Sequence, residues 1–135
     1  MSDKRIRLLI IDDEPGIRNV LQTRFEKQGY LVDIAANGLH GLQKIKSGYN
    51  PHLVICDIKM SGMTGIELIE KVKADSSLRN TPFFVMTAFP EKPLIVKTLK
   101  SGINGIIIKP FDFKELLKKV EEFLIADADP MKIAA

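Results

Sequence analysis

Asp12 and Asp13 follow the apolar run Ile6-Arg7-Leu8-Leu9-Ile10-Ile11, and Asp57 follows Leu53-Val54-Ile55-Cys56. Thr87 follows Phe83-Phe84-Val85-Met86, and Lys109 follows Ile106-Ile107-Ile108. In each case a polar side chain stands where an apolar run stops. If the runs are parallel strands of one sheet, their carboxyl ends line a single crevice, the place where open α/β sheets bind ligands. Three carboxylates, a hydroxyl and an ammonium then meet, which is more charge than a fold gathers without a use. Two carboxylates about 4 Å apart repel by roughly 4 kcal/mol at an effective dielectric near 20. Three of them must share protons, borrow a cation or stay apart. An all-oxygen donor set favours a hard divalent ion, and few protein ligands suit magnesium, which keeps much of its water and commonly bridges to phosphate. Lys109 adds a mobile positive charge, and Thr87 a donor toward an oxygen of a bound group. These are the parts of a phosphoryl-transfer site. No serine or cysteine has a plausible adjacent base, and His40 and His52 lie away from the crevice ends. Asp57 is left as the nucleophile, since a carboxylate attacks phosphorus without first losing a proton.

Such a crevice requires alternating strands and helices, and the chain carries that rhythm. Glu14-Pro15 opens a helix in which Ile17, Val20, Leu21 and Phe25 recur at helical spacing, and Gly29 closes it. Leu31 to Ala35 reads as a strand. Asn37-Gly38 then turns into a helix carrying Leu39, Leu42 and Ile45, which Ser47-Gly48 stops. The third strand, Leu53 to Cys56, is continuously apolar, as expected when helices cover both faces. Thr64-Gly65-Ile66-Glu67 reads as a capping box before a helix with Ile66, Ile69 and Val72 on one face. Pro82 to Met86 forms the fourth strand, and Pro93 to Leu99 a short helix with Lys92, Lys97 and Lys100 toward water. Gly102 and Gly105 bracket the turn into the fifth strand. Asp112 to Glu115 caps a last helix bearing Leu116, Leu117, Val120, Phe123 and Leu124. Five strands alternating with five helices predict an α/β fold with a doubly wound, largely parallel sheet, because each right-handed crossover needs a helix.

The 135 residues suit one domain, long enough to bury roughly two thirds of its unfolded surface. With 45% hydrophobic and 27% charged residues, and no apolar stretch near the roughly 20 residues that cross a bilayer, no membrane association is expected. The polar start Met1-Ser2-Asp3-Lys4-Arg5 lacks a signal-peptide apolar region, so a cytoplasmic location is expected. The single cysteine, Cys56, reads as a small buried hydrophobe. A net charge of +3 with scattered lysines is a weak footprint for nucleic acid, so no direct nucleic-acid contact is expected. Residues 126–135 carry no pattern and read as a tail or linker stump behind a domain at 1–125.

Four segments, in order and each at a strand end, resemble the receiver domain of bacterial two-component response regulators, of the single-domain chemotaxis or phosphorelay kind. They are Ile11-Asp12-Asp13-Glu14, Val54-Ile55-Cys56-Asp57-Ile58-Lys59-Met60, Val85-Met86-Thr87-Ala88 and Ile107-Ile108-Lys109-Pro110-Phe111. The resemblance runs from about Lys4 to Leu124 and implies the flavodoxin-like strand order 2-1-3-4-5. It implies that Asp57 accepts a phosphoryl group from a phosphohistidine on a sensor histidine kinase or histidine phosphotransferase. Asp13, Asp57 and the backbone carbonyl of Lys59 would hold Mg2+, and Asp12 would orient it through water. Thr87 and the amide of Ala88 would bind phosphoryl oxygens, Lys109 would pair with another, and the Lys109-Pro110 bond would be cis. Phosphorylation would shift the surface around the fourth helix, fifth strand and fifth helix, change affinity for a downstream protein, and allow a phosphorylation-dependent homodimer.

Two positions depart from the family. Ser61 stands where proline is usual, which predicts a more mobile loop, and Ile106 replaces the usual tyrosine or phenylalanine that swings inward with the threonine. A turnover phosphatase with an aspartate nucleophile would carry a strand-end Asp-x-Asp, whereas here the pair is adjacent and the lone aspartate lies on a later strand. No glycine-rich phosphate loop follows the first strand, which argues against a nucleotide-binding protein.

Overall fold

The structure, a computed structural model, describes residues 5–88, Lys97, Lys100 and 102–128. Five parallel strands form one sheet: β1 (Arg7–Ile11), β2 (Leu31–Ala35), β3 (Leu53–Asp57), β4 (Phe83–Thr87) and β5 (Gly105–Ile108), in the order β2-β1-β3-β4-β5. The helices are α1 (Pro15–Lys27), α2 (Gly38–Lys44), α3 (Gly65–Ala74) and α4 (Phe113–Ala128). The expected helix at Pro93–Leu99 lies outside the described residues, apart from Lys97, which is helical, as is Lys100 beyond it.

Alternation along the strands builds two cores. Leu9, Ile11, Val54, Cys56, Phe83 and Val85 pack against Leu42 and Ile45 from the α2 side and Ile66, Ile69 and Val72 of α3. Leu8, Ile10, Ile55, Phe84 and Met86 point the other way, onto Leu21 and Phe25 of α1 and Leu116, Val120 and Leu124 of α4. Every residue of β3 and β4 is buried, because those strands lie inside the sheet with helices over both faces.

Local chemistry ends each helix near the expected place. Gly29 follows α1 with φ 97°, a left-handed conformation that glycine adopts without a Cβ clash. Thr64 Oγ1 accepts from the Glu67 amide at 3.2 Å, and its hydroxyl lies 3.3 Å from the Glu67 carboxylate. The cap therefore forms, but its return arm joins the two side chains. Asp112 Oδ1 accepts from the Lys114 amide at 2.8 Å and starts α4, which continues to Ala128, three residues past the boundary expected at 125. The second helix widens into a π-turn from Ile45 and breaks at Gly48 (φ 94°), where Ser47-Gly48 was expected to stop it, and Asn50 (φ 50°) completes the reversal.

Strand register places the polar residues. Ile11 pairs with Cys56, Asp57 with Met86, and Thr87 with Ile108. Asp12 therefore leaves β1 abreast of Asp57, and Lys109 leaves β5 one residue beyond Thr87. The loop after Asp57 returns tightly into α3, with the Gly65 amide donating to the Ile58 carbonyl at 2.9 Å. A Cβ on Gly65 would collide with the carbonyl oxygen of Asp57 and lie 3.0 Å from Ile58 Cα, and backbone atoms there have little freedom to yield. Gly65→Ala is expected to lower unfolding stability by about 1–3 kcal/mol in urea denaturation. Unchanged stability would show that this close approach has slack.

Candidate functional site

Asp12 is fully buried and held on four sides. Its amide donates to the Ala35 carbonyl at 3.2 Å, and its own carbonyl accepts from Arg18 Nη1 at 2.7 Å. Its Oδ1 accepts from the Glu14 amide at 2.8 Å, and its Oδ2 from Lys109 Nζ at 3.1 Å. Asp57 closes β3 and is 6% exposed, and its Oδ2 accepts from the same Nζ at 3.0 Å. One ammonium thus bridges two carboxylates that belong to different strands. The Glu14 carboxylate stands further out, at 4.0 Å from Nζ. Asp13 is more accessible, and its Oδ2 faces the Ser61 amide at 3.4 Å.

Carboxylate oxygens of Asp12, Asp13 and Asp57 lie within 4.8 Å of one another. When ionised, three negative charges face the single positive charge of Lys109. Three carboxylates this close lie within reach of a single divalent cation, held directly or through water. The donors are all oxygen, which matches a hard cation. The described residues therefore fit a divalent metal in both charge and donor type.

The electrostatics agree with that crowding. Burial pushes the Asp57 carboxyl above its ordinary 3.8, and the charge of Asp12 adds to the rise; the hydrogen bond and charge of Lys109 and the Lys59 amide act the other way without cancelling it. Burial pulls Lys109 downward, but the hydrogen bonds and charges of Asp57 and Asp12 outweigh it and hold the ammonium above 10.5. The Cys56 thiol is pushed far up, by burial first and then by the charges of Asp57 and Asp12, so it stays a neutral core group.

The remaining expected residues gather at the same edge. Thr87 ends β4, is 1% exposed, and its carbonyl accepts from the Lys109 amide at 2.8 Å. Ala88 follows it, exposed. The Lys59 side chain is exposed, while its amide donates to the Asp57 carboxylate. The Lys109-Pro110 bond is cis. His52 Nδ1 accepts from the Arg7 amide at 2.9 Å, at the opposite end of β1, and His40 is exposed on α2. Ile106 is half-buried beside Val85, and Ile108, two residues on, is half exposed. Reading the sequence missed two contacts. Proline at position 61 would have no amide to offer Asp13, whereas the Ser61 amide stands 3.4 Å from the Asp13 carboxylate. Arg18 reaches back from the end of the first turn of α1, and its side-chain direction could not be read from residue types.

A family model described as "Response regulator receiver domain" matches residues 8–121. The chain belongs to that family. It is 38% identical to sporulation initiation phosphotransferase F of Bacillus subtilis, over 87% of this chain and 93% of that protein. It is 36% identical to the transcriptional regulatory protein ZraR of Klebsiella oxytoca over 92% of this chain, but spans only 27% of that longer protein. The crystal structure of a CheY-like response regulator receiver domain from Methanospirillum hungatei superposes with TM-score 0.87 at 31% identity, covering 94% of this chain and 99% of that one. Receiver domains act in phosphorylation-dependent signalling, and the acidic cluster here is what such a role requires. No helix among the described residues is long and apolar enough to cross a membrane.

The two shifted groups give the fold pH dependences of the same sign in two separate windows. Asp57 binds its proton more tightly folded than unfolded, so its contribution declines as pH rises from 3.8 through the raised folded value. The contribution of Lys109 is complete below 10.5 and is lost as pH rises through its raised folded value. Urea denaturation across pH is expected to show the acid-side decline removed in Asp57→Asn and the alkaline decline removed in Lys109→Met. Wild-type slopes persisting in both variants would contradict the site electrostatics.

Proposed function

We propose that Asp57 accepts a phosphoryl group from a phosphohistidine of a sensor histidine kinase or histidine phosphotransferase. An Asp57 oxygen attacks phosphorus, the P–N bond breaks, and the imidazole leaves with the bonding pair. Attack by water later returns inorganic phosphate and the free carboxylate. The chain is on this reading a signalling module that catalyses its own phosphorylation and dephosphorylation. The observation that carries it is the pair of buried carboxylates bridged by Lys109 beside a third, at the carboxyl edge of a parallel sheet.

Asp13, Asp57 and the backbone carbonyl of Lys59 would hold Mg2+, with Asp12 acting through water. The ion supplies charge neutralisation at the transferring phosphoryl oxygens. Thr87 and the Ala88 amide would bind two of those oxygens, and Lys109, already within reach of Asp57, would take another. The phosphorylated form would present an altered surface at the 93–99 segment, β5 and α4 to a downstream protein or to a second copy of the chain. Residues 1–125 would make up the receiver unit and 126–135 a tail or linker, in a cytoplasmic setting without direct contact to nucleic acid or membrane.

Incubation with magnesium and acetyl phosphate, followed by peptide mass spectrometry, tests this. An acid-stable, base-labile phosphoryl adduct on Asp57 is expected, absent without Mg2+ and absent in Asp57→Asn. No adduct in wild type, or an undiminished one in Asp57→Asn, would remove the reading. Continuous phosphate release from many unrelated monoesters would favour a turnover phosphatase instead.

A further inference from the structure

Asp13 is the acidic residue least secured by its own side chain. Among the described residues its carboxylate meets only the Ser61 amide, at a long 3.4 Å. Asp12, by contrast, has Lys109 and the Glu14 amide on its carboxylate. What aims Asp13 is therefore the backbone before it, and that backbone is a turn between β1 and α1. The side chain at the α1 N-cap, Glu14, makes no capping hydrogen bond and does not tie the turn. The Asp12 amide is fixed to the Ala35 carbonyl at 3.2 Å, which holds the near side of Asp12. The far side is the peptide that joins Asp12 to Asp13. Its carbonyl accepts from Arg18 Nη1 at 2.7 Å, a short charge-assisted hydrogen bond from a half-buried guanidinium. Arg18 is itself anchored in α1, where its amide donates to the Glu14 carbonyl at 3.0 Å.

We infer, on the reading that the crevice binds a divalent cation, that Arg18 is a positioning residue. By gripping the Asp12 carbonyl it sets the peptide plane from which Asp13 projects, and so sets the aim of the Asp13 carboxylate toward the metal. The sign of the effect separates this from a charge effect. Removing a nearby positive charge strengthens cation binding by Coulomb's law, whereas releasing the peptide plane weakens it.

The test titrates magnesium chloride alone into the full-length chain and follows the amide NMR shifts of Asp13 and Asp57. In Arg18→Gln the magnesium Kd is expected to rise about five- to tenfold, less than the full strength of a charge-assisted hydrogen bond because Arg18 acts on the metal site only through the Asp12 peptide. Arg18→Lys is expected to recover part of the loss, and Lys27→Gln, which removes an equal charge from the far end of α1, to leave the Kd at the wild-type value. The rate of labelling by acetyl phosphate at saturating magnesium is expected to stay within about twofold of wild type, because the defect is in metal capture and not in the transfer step. Should Arg18→Gln fail to fold, Arg18→Met, which keeps the apolar stem, is read in the same way. A Kd equal to or tighter than wild type in the folded variant, or an equal weakening in Lys27→Gln, overturns the role of Arg18. Failure of the wild type itself to bind magnesium would sink the reading of the site instead.

Discussion

One ammonium shared by two buried carboxylates is the constraint on which the arrangement depends. Lys109 Nζ stands 3.0 Å from Asp57 and 3.1 Å from Asp12, in a crevice where these side chains are at most a tenth exposed. Buried charge is tolerated only when paired, and removing one partner of such a group leaves the others uncompensated. Yet the balance here is incomplete, because Asp13 adds a third carboxylate and Lys109 supplies only one positive charge. The fold thus holds together a site that is short of cations, where burial first, and then the charge of Asp12, raise the Asp57 carboxyl. A divalent cation is the ligand that this imbalance suits, and such an ion would also offset the negative charge of an incoming phosphoryl group.

The sheet exists in the form that such a site needs. Parallel strands place all their carboxyl ends on one edge, and the pairings Ile11 with Cys56 and Thr87 with Ile108 bring residues 97 positions apart in the chain into one hydrogen-bonded group. The two apolar layers on either side exclude water from the strand bodies while leaving the strand ends reachable. Tight returns such as Gly65 against the Asp57 carbonyl keep the loops short. A groove of about 780 Å³ between α1 and α4 is lined by residues such as Val20, Arg24 and Phe113 and by none of the acidic group.

Much of this was legible in residue order. Polar residues at the ends of Val/Ile/Leu runs marked the crevice, since only a strand that stops there can project an aspartate or lysine from the sheet edge. Thr64, Asp112 and Gly29 announced helix ends because capping oxygens and a left-handed glycine leave strong local signatures. What was not legible depends on backbone groups or side-chain direction. The Ser61 amide that meets Asp13 is invisible to a reading of side-chain types. The π-turn at Ile45–Tyr49 is held by Tyr49, whose hydroxyl donates to the Leu8 carbonyl at 2.9 Å, a contact 41 residues away in sequence. The guanidinium of Arg18 on the Asp12 carbonyl is a side-chain direction that residue order does not encode.

If Asp12, Asp13 and Asp57 form one cation site together with Lys109, a carboxyl-detected 13C NMR titration with magnesium will shift the carboxyl carbons of all three residues along one binding curve, with the Lys109 ammonium responding at the same midpoint. Shifts confined to exposed acids such as Asp75, with Asp12, Asp57 and Lys109 unmoved, would contradict it.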